Sequence, residues 1–161
     1  MKVLVTGAKG FVGKNLVVML RRLPDVDIIE VDVDSPEHLL TDGLTAADVI
    51  FHLAGVNRPE KPEDYDEGNM GFTQTICDSL ISLNRKPLII FSSSIQATLD
   101  NHYGQSKRKA EDALQSFSRQ TGARVVIFRM KNVFGKWCRP NYNSAVATFC
   151  NNIARDLPIS I

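Results

Sequence analysis

The sequence predicts an α/β domain built on a doubly wound parallel sheet. Three observations carry this expectation. Five short apolar or β-branched runs recur along the 161 residues, each bounded by turn residues, and near-continuous apolarity suits strands covered on both faces. Stretches with helical spacing lie between them, as the crossovers of a parallel sheet require. A glycine-rich turn joins the first run to the first helical stretch.

The five runs are Lys2–Val5, Ile28–Asp32, Val49–Leu53, Leu88–Ser92 and Val125–Arg129. After the first, Val12, Leu16, Val17, Leu20 and Leu23 fall at helical spacing and Pro24 follows as a stop. The stretch Val33–Ala47, interrupted by Pro36 and Gly43, is cramped for a full helix plus another strand, so the third strand of a complete doubly wound sheet is expected to be missing or vestigial. Asn57–Asp66, with Pro59, Pro62 and many charges, reads as an exposed loop. Met70, Thr73, Ile76, Cys77, Leu80 and Leu83 form a second helical stripe. Ala110, Ala113, Leu114 and Phe117 form a third, ended by Gly122 as its C′ residue. A last helix is expected over Ala145–Arg155.

Composition narrows the class of protein. Hydrophobic residues make up 43% and charged residues 23%, ordinary globular usage that excludes disordered and collagen-like chains. The length is that of one domain. A net charge of +1 and a pI near 7.7 leave no electrostatic footprint for nucleic acid or an anionic membrane. The N-terminal apolar run stops at Gly7, far short of a signal-peptide core or the ~20 residues of a membrane helix, so a cytoplasmic protein is expected. Cys77, Cys138 and Cys150 are odd in number and lack zinc or redox spacing, which reads as reduced thiols. His38, His52 and His102 are scattered, and no metal is expected.

The first strand leads through Thr6 into Gly7-Ala8-Lys9-Gly10-Phe11-Val12-Gly13 and directly into a helix. Glycines let backbone N–H groups approach a pyrophosphate, and the helix N-terminus adds positive potential. Asp32 closes the second strand 19 residues after Gly13, where a carboxylate bonds a ribose 2′-hydroxyl and favours NAD over NADP. A glycine turn serving only helix–strand packing leaves Asp32 without a purpose. Lys9, Lys14 and Arg58 carry charge suited to a 2′-phosphate, so the choice between NAD and NADP stays open. Asp34 is a second candidate for the ribose, or an ordinary exposed turn carboxylate. With this loop the expected sheet becomes a Rossmann-like one.

The fourth strand ends in Ser92-Ser93-Ser94, and nine residues after Ser94 comes Tyr103-Gly104-Gln105-Ser106-Lys107. A helix puts Tyr103 and Lys107 at i, i+4 on one face. A phenol with an ordinary pKa near ~10 is a poor acid or base at neutral pH, and an adjacent ammonium is expected to lower it. Ser94 can then hydrogen-bond a carbonyl oxygen while Tyr103 delivers a proton. The bland alternative is a surface helix start in which Tyr103 packs and Lys107 is solvated.

The glycine loop, His52-Leu53-Ala54-Gly55, Asn69-Met70-Gly71, the serine run and Tyr103…Lys107 together resemble the extended short-chain dehydrogenase/reductases, over the whole chain. The resemblance implies that Leu53, Ala54 and Gly55 pass close to the cofactor and that Asn69 lies in the helix whose backbone helps position Lys107 through water. It places Ser94 at the catalytic serine position and Asn132, in the run that ends strand five, against a substrate phosphate. Asn69 as a simple helix cap and His52 as a satisfied core residue are the ordinary alternatives.

The strings SSSIQA, DNHYGQSK and NVFGKWCRPNYNSAVATF are similar to CapF-type enzymes of bacterial capsular polysaccharide synthesis. This resemblance implies reduction, with NAD or NADP as cofactor, of the 4-keto group of a UDP-linked 6-deoxy-hexosamine, and a homodimer by analogy. Sugar-nucleotide dehydratases of this kind place Asp-Glu after the serine position, whereas Ile95-Gln96 stand here. Lys136, Trp137, Arg139, Tyr142 and Asn143 follow strand five, and that mix suits a nucleotide diphosphate. Lys136 and Arg139 are the candidates, with Trp137 equally readable as core-facing. The expectation is one NAD(P)-binding domain over residues 1–161 with the C-terminal substrate lobe truncated or absent and no second domain. Two rival readings remain: a nucleotide-sugar epimerase with tightly held NAD, and a non-catalytic dinucleotide-binding or assembly fragment.

Overall fold

Val3, Leu4 and Val5 are fully buried, and their alternation divides the core in two. In the computed structural model, which describes residues 1–57, 59, 61 and 63–160, they lie on β1 (Lys2–Thr6), with strands on both sides. Val3 and Val5 face Val17 and Leu20 of helix α1 (Phe11–Leu20). Leu4 faces the other way, into a larger cluster with Leu44, Ile50, Ile76, Leu80, Phe91, Leu114 and Phe117. Each such side chain contributes about 1.5–3 kcal/mol when fully buried.

The remaining strands are β2 (Asp27–Val31), β3 (Val49–His52), β4 (Leu88–Ser94) and β5 (Val125–Met130). They form one sheet in the order β2-β1-β3-β4-β5, and every pairing is parallel. All five expected strands are present. β4 runs on through the third serine, because Ser93 and Ser94 still pair with Arg129 and Met130 of β5.

Helices α2 (Glu37–Ala46), α4 (Phe72–Ser82) and α5 (His102–Thr121) cover the larger cluster. α2 alone fills the span between β2 and β3, so the third strand of a complete doubly wound sheet is missing. Gly43 permits this close packing, since a Cβ there would sit 2.9 Å from Leu4 Cδ1. Gly122 ends α5 at φ 76°, the left-handed conformation expected of it.

The segment expected as loop up to Asp66 is helical earlier than that. A single turn, α3 (Glu63–Tyr65), runs into a π-helical stretch, Asp66–Gly71, and then into α4. Arg58 and Pro62, both singled out in the sequence, lie outside the described residues. The last helix, α6 (Ala145–Ile153), buries none of its residues. On β5, Val125 and Ile127 pack toward the larger cluster, which turns Val126 and Phe128 to the opposite face, where they are exposed.

The chain crosses from β1 outward to β2 and then returns to β3 on the other side of β1. This reversal opens a crevice at the carboxyl ends of β1 and β3, the usual ligand position in such sheets. Gly7, Leu53–Gly55 and Ser94 all lie at that end of the strands.

Candidate active site

The glycine loop follows β1 with Gly7 at φ 70°, a backbone state that favours glycine. A Cβ on Gly7 would meet Ala54 N at 2.7 Å, and one on Gly13 would meet Gly7 O at 2.1 Å. The loop therefore folds onto both the end of β3 and the start of α1. Gly10 is the residue before α1, leaving Phe11, Val12 and Gly13 in its first turn, where helical N–H groups lack intrahelical partners.

Asp32 reaches this loop from the end of β2. Its Oδ2 accepts from Lys9 N at 2.7 Å and its Oδ1 from Val33 N at 2.9 Å. Lys9 does not point to an anion site as its charge suggested. Its ammonium binds both oxygens of Asp34, at 2.7 and 2.5 Å, and that hydrogen bond holds the Asp34 carboxyl below its usual range and the Lys9 ammonium above its own. Asp34 is thus the partner of Lys9. Lys14 is exposed.

Behind the loop, a line of hydrogen bonds crosses the core. Ala54 N donates to Thr6 Oγ1 at 3.3 Å, Thr6 Oγ1 lies 2.8 Å from His52 Nδ1, His52 Nε2 lies 2.9 Å from Thr73 Oγ1, and Thr73 Oγ1 donates to Asn69 O at 2.6 Å. Thr73 has one hydroxyl proton, committed to Asn69, so it must accept from His52. This assigns the proton to Nε2, and Thr6 donates to Nδ1. His52 is accordingly satisfied by two threonine hydroxyls, not by a backbone carbonyl. Burial, reinforced by the Lys107 charge, pushes its pKa down to about 3 and keeps it neutral.

Asn69 lies in the π-helical stretch and is 2% exposed. Its side chain caps no helix. Oδ1 accepts from Val56 N at 3.1 Å, while Nδ2 donates to Val56 O at 3.0 Å and to Ser106 Oγ at 3.0 Å. Gly55 passes so close that a Cβ would stand 2.6 Å from Asn69 Oδ1 and 2.9 Å from Lys107 Nζ. Leu53 packs against the smaller cluster.

Helix α5 begins at an Asn101 cap, whose Oδ1 accepts from Gly104 N at 2.7 Å. Its first turns carry Tyr103 and Lys107 toward β4. Lys107 is 4% exposed. Its Nζ donates to Ser92 O at 3.2 Å and lies 5.0 Å from the Phe91 ring centroid and 5.9 Å from that of Tyr103. Burial drives its pKa down to about 8, and the Glu111 carboxylate opposes the fall. A solvated Lys107 is ruled out.

Tyr103 departs from expectation in one respect. Burial raises its pKa above the usual phenol value, and a hydrogen bond with Ser94 only partly offsets this. The ammonium sits beside the ring and does not bring the phenol down. The Tyr65 ring lies tilted beside it, centroids 5.8 Å apart, and Tyr142 is in electrostatic reach. Ser94 Oγ also accepts from Gln96 N at 3.1 Å, starting a 3-10 turn over Ile95–Thr98.

Beyond β5 the picture is looser. Asn132 donates to Asn143 O at 3.1 Å. Lys136 Nζ lies 4.6 Å over the Trp137 ring and Arg139 stacks 5.5 Å from Tyr142. Trp137 is 44% exposed, at φ 67°, and so is not core-facing. Asn15 Nδ2 donates to Lys136 O at 2.9 Å and ties this segment to α1. No contact places Asn132, Lys136 or Arg139 against Ser94, Tyr103 or Lys107.

The sequence reading passed over a buried cluster behind Lys107. Glu111, 1% exposed, accepts from Ser93 Oγ and from Arg129 Nε at 3.0 Å and Nη2 at 2.6 Å. The available signal was spacing, since Tyr103, Lys107 and Glu111 repeat every four residues on one helix.

The sequence model of the NAD dependent epimerase/dehydratase family matches residues 3–161. The chain belongs to that family. Among relatives of this epimerase/dehydratase chain, a Pseudomonas aeruginosa protein named UDP-2-acetamido-2,6-beta-L-arabino-hexul-4-ose reductase is 52% identical over 161 residues, which is all of this chain and 43% of that protein. The structure of the capsular polysaccharide assembling protein CapF from Staphylococcus aureus superposes with a TM-score of 0.87 and 48% identity, covering all of this chain and 44% of CapF. UDP-glucuronic acid 4-epimerase from Bacillus cereus, in complex with NAD, shares the fold at a TM-score of 0.86 and 20% identity, over all of this chain and 66% of that one. The chain thus spans less than half the length of the first two. Among the described residues, no helix is long and apolar enough to cross a membrane.

Proposed function

We propose that the chain is the cofactor-binding and catalytic domain of a cytoplasmic reductase. It would use NADH or NADPH to reduce the 4-keto group of a UDP-linked 6-deoxy-hexosamine in capsular polysaccharide biosynthesis. The observation that carries the reading is the convergence of Ser94, Tyr103 and Lys107 at the carboxyl end of β4, beside the glycine loop. The 52% identity to the Pseudomonas reductase supports the substrate class. Assembly as a homodimer belongs to the same reading.

The loop suits a dinucleotide. Gly7 and Gly13 leave no space for a Cβ, so the loop packs closely on the end of β3 and on α1, and the N–H groups of the first turn of α1 are the donors proposed for a pyrophosphate. Gly7, Gly10, Phe11, Val12 and Gly13 would hold the phosphates, Asp32 and the Lys9 backbone bound to it the adenosine ribose, and Leu53, Ala54, Gly55, Tyr103 and Lys107 the nicotinamide half. A bound reduced nicotinamide supplies the hydride. Ser94 hydrogen-bonds the ketone oxygen and Tyr103 transfers its phenolic proton to it, giving the alcohol. The raised Tyr103 pKa keeps that proton in place until it is needed. Lys107 then faces the phenolate with its ammonium. Ile95 and Gln96 supply no carboxylate for dehydration. Asn132, Lys136 and Arg139 are assigned to the substrate diphosphate.

The test mixes the chain with NADH or NADPH and a UDP-linked 4-keto-6-deoxy-hexosamine and follows reduced nicotinamide. Cofactor consumption with substrate is expected, and Tyr103→Phe should bind the dinucleotide while losing about 10²–10⁴-fold in hydride transfer. Substrate interconversion without net consumption would instead make the protein an epimerase. Dinucleotide binding with neither outcome would make it a non-catalytic module.

A further inference from the structure

We infer that Glu111 is a positioning residue for Lys107, a buried anion that keeps the neighbouring ammonium charged and seated against the end of β4. The inference rests on the reading of Tyr103 and Lys107 as the acid–base pair.

Lys107 needs such a partner. It is 4% exposed, over an aromatic ring, with one backbone carbonyl accepting from it. Burial of an ammonium favours proton loss, and a neutral amine could not support a phenolate. The groups facing it are few. β3 presents His52, which is neutral; β4 presents Phe91 and the Ser92 carbonyl; the π-helical stretch presents the Asn69 amide beside Gly55. Its own helix presents Tyr103 one turn before it and Glu111 one turn after, and Glu111 takes the hydroxyl of Ser93 next to the Ser92 carbonyl that Lys107 holds. Among the described residues that face it, Glu111 is the only anion.

Glu111 is also held ionised. Burial works to raise its pKa, but hydrogen bonds from Arg129 and Ser93, with the charges of Arg129 and Arg108, bring it below the usual carboxylate range. It therefore carries its charge throughout the titration of Lys107. A purely structural role explains less. Arg129 is 41% exposed on its side chain and would pair as well at the surface. A buried ion pair is weak evidence for stability, because well-packed apolar side chains often serve equally. What an apolar pair cannot supply is negative potential at Lys107.

The experiment follows the Lys107 side-chain resonances by NMR against pH, assigned with Lys107→Arg, in the full chain and in Glu111→Gln. The glutamine keeps the shape and the acceptor for Ser93 while removing the charge. The Lys107 midpoint is expected to fall by roughly one pH unit in the variant, and Ser93→Ala, which keeps the charge, should leave it in place. A midpoint in Glu111→Gln equal to or above that of the unaltered chain would overturn the inference. A second measurement needs no variant: the Glu111 carboxyl carbon resonance of the unaltered chain should inflect at the Lys107 midpoint, and a flat trace there would equally overturn it. Failure of the chain to bind either dinucleotide would sink the proposed function while leaving this coupling measurable.

Discussion

Asn69 grips both backbone polar groups of Val56, accepting from its N–H at 3.1 Å and donating to its C=O at 3.0 Å. A side chain from the π-helical stretch thus completes, in place of a strand, the hydrogen bonding of the segment after β3. Asn69→Leu removes both bonds to Val56 and a third to Ser106 Oγ, all from a buried side chain. The variant is expected to unfold at lower denaturant, with a loss of about 1–3 kcal/mol for each group left unpaired. Urea denaturation with an unchanged m-value checks this.

Lys107 makes the domain less stable than it could be. At neutral pH the ammonium is charged in both folded and unfolded chains, and only the folded one carries the cost of burying it. With the folded pKa at about 8 and the free value at 10.5, that cost is about 3 kcal/mol. The unfolded chain binds the extra proton between these values, so this group adds stability as pH rises from about 8 to 10.5. Lys107→Met should therefore raise the denaturation midpoint at pH ~7, with a gain that shrinks toward pH ~10.5, and should abolish hydride transfer. Denaturation at several pH values measures the first effect and single-turnover kinetics the second.

The Lys9–Asp34 pair bears on cofactor choice. Its two members are well exposed, at 62% and 61% of their side chains, so it contributes little to stability. Asp34→Asn releases the Lys9 ammonium beside the proposed adenosine-ribose site and removes a negative charge. Affinity for NADPH relative to NADH should rise, by a few-fold at most because both groups are exposed. Parallel fluorescence titrations read the ratio, and an unchanged ratio would show that Lys9 does not reach the 2′ position.

The strands were legible because each is a short apolar run bounded by turn residues, a pattern strong enough to read without neighbours and one that β5 keeps even with Val126 and Phe128 exposed. α2 was less so, since Pro36 and Gly43 weaken its local signal and its placement depends on the space Gly43 leaves beside Leu4. The helical start at Glu63 was hidden among charges and prolines. At the site, Ser94, Tyr103 and Lys107 were readable from spacing on one strand and one helix. The direction of the Tyr103 pKa was not, because it depends on burial, which only the packed chain defines. Glu111 and Arg129 escaped for a related reason: surface residues by type, they meet only when α5 lies across β4 and β5.

The hydrogen-bond line through His52 has a bearing on how this sequence can drift. Each hydroxyl in it donates once and accepts once, so Thr6, His52 and Thr73 are not independent choices. Loss of either hydroxyl or of the imidazole strands a donor or an acceptor at the next position. The three positions, 46 and 21 residues apart along the chain, should vary together or not at all, as one inherited unit spanning the end of β1, the end of β3 and the second turn of the π-to-α helix.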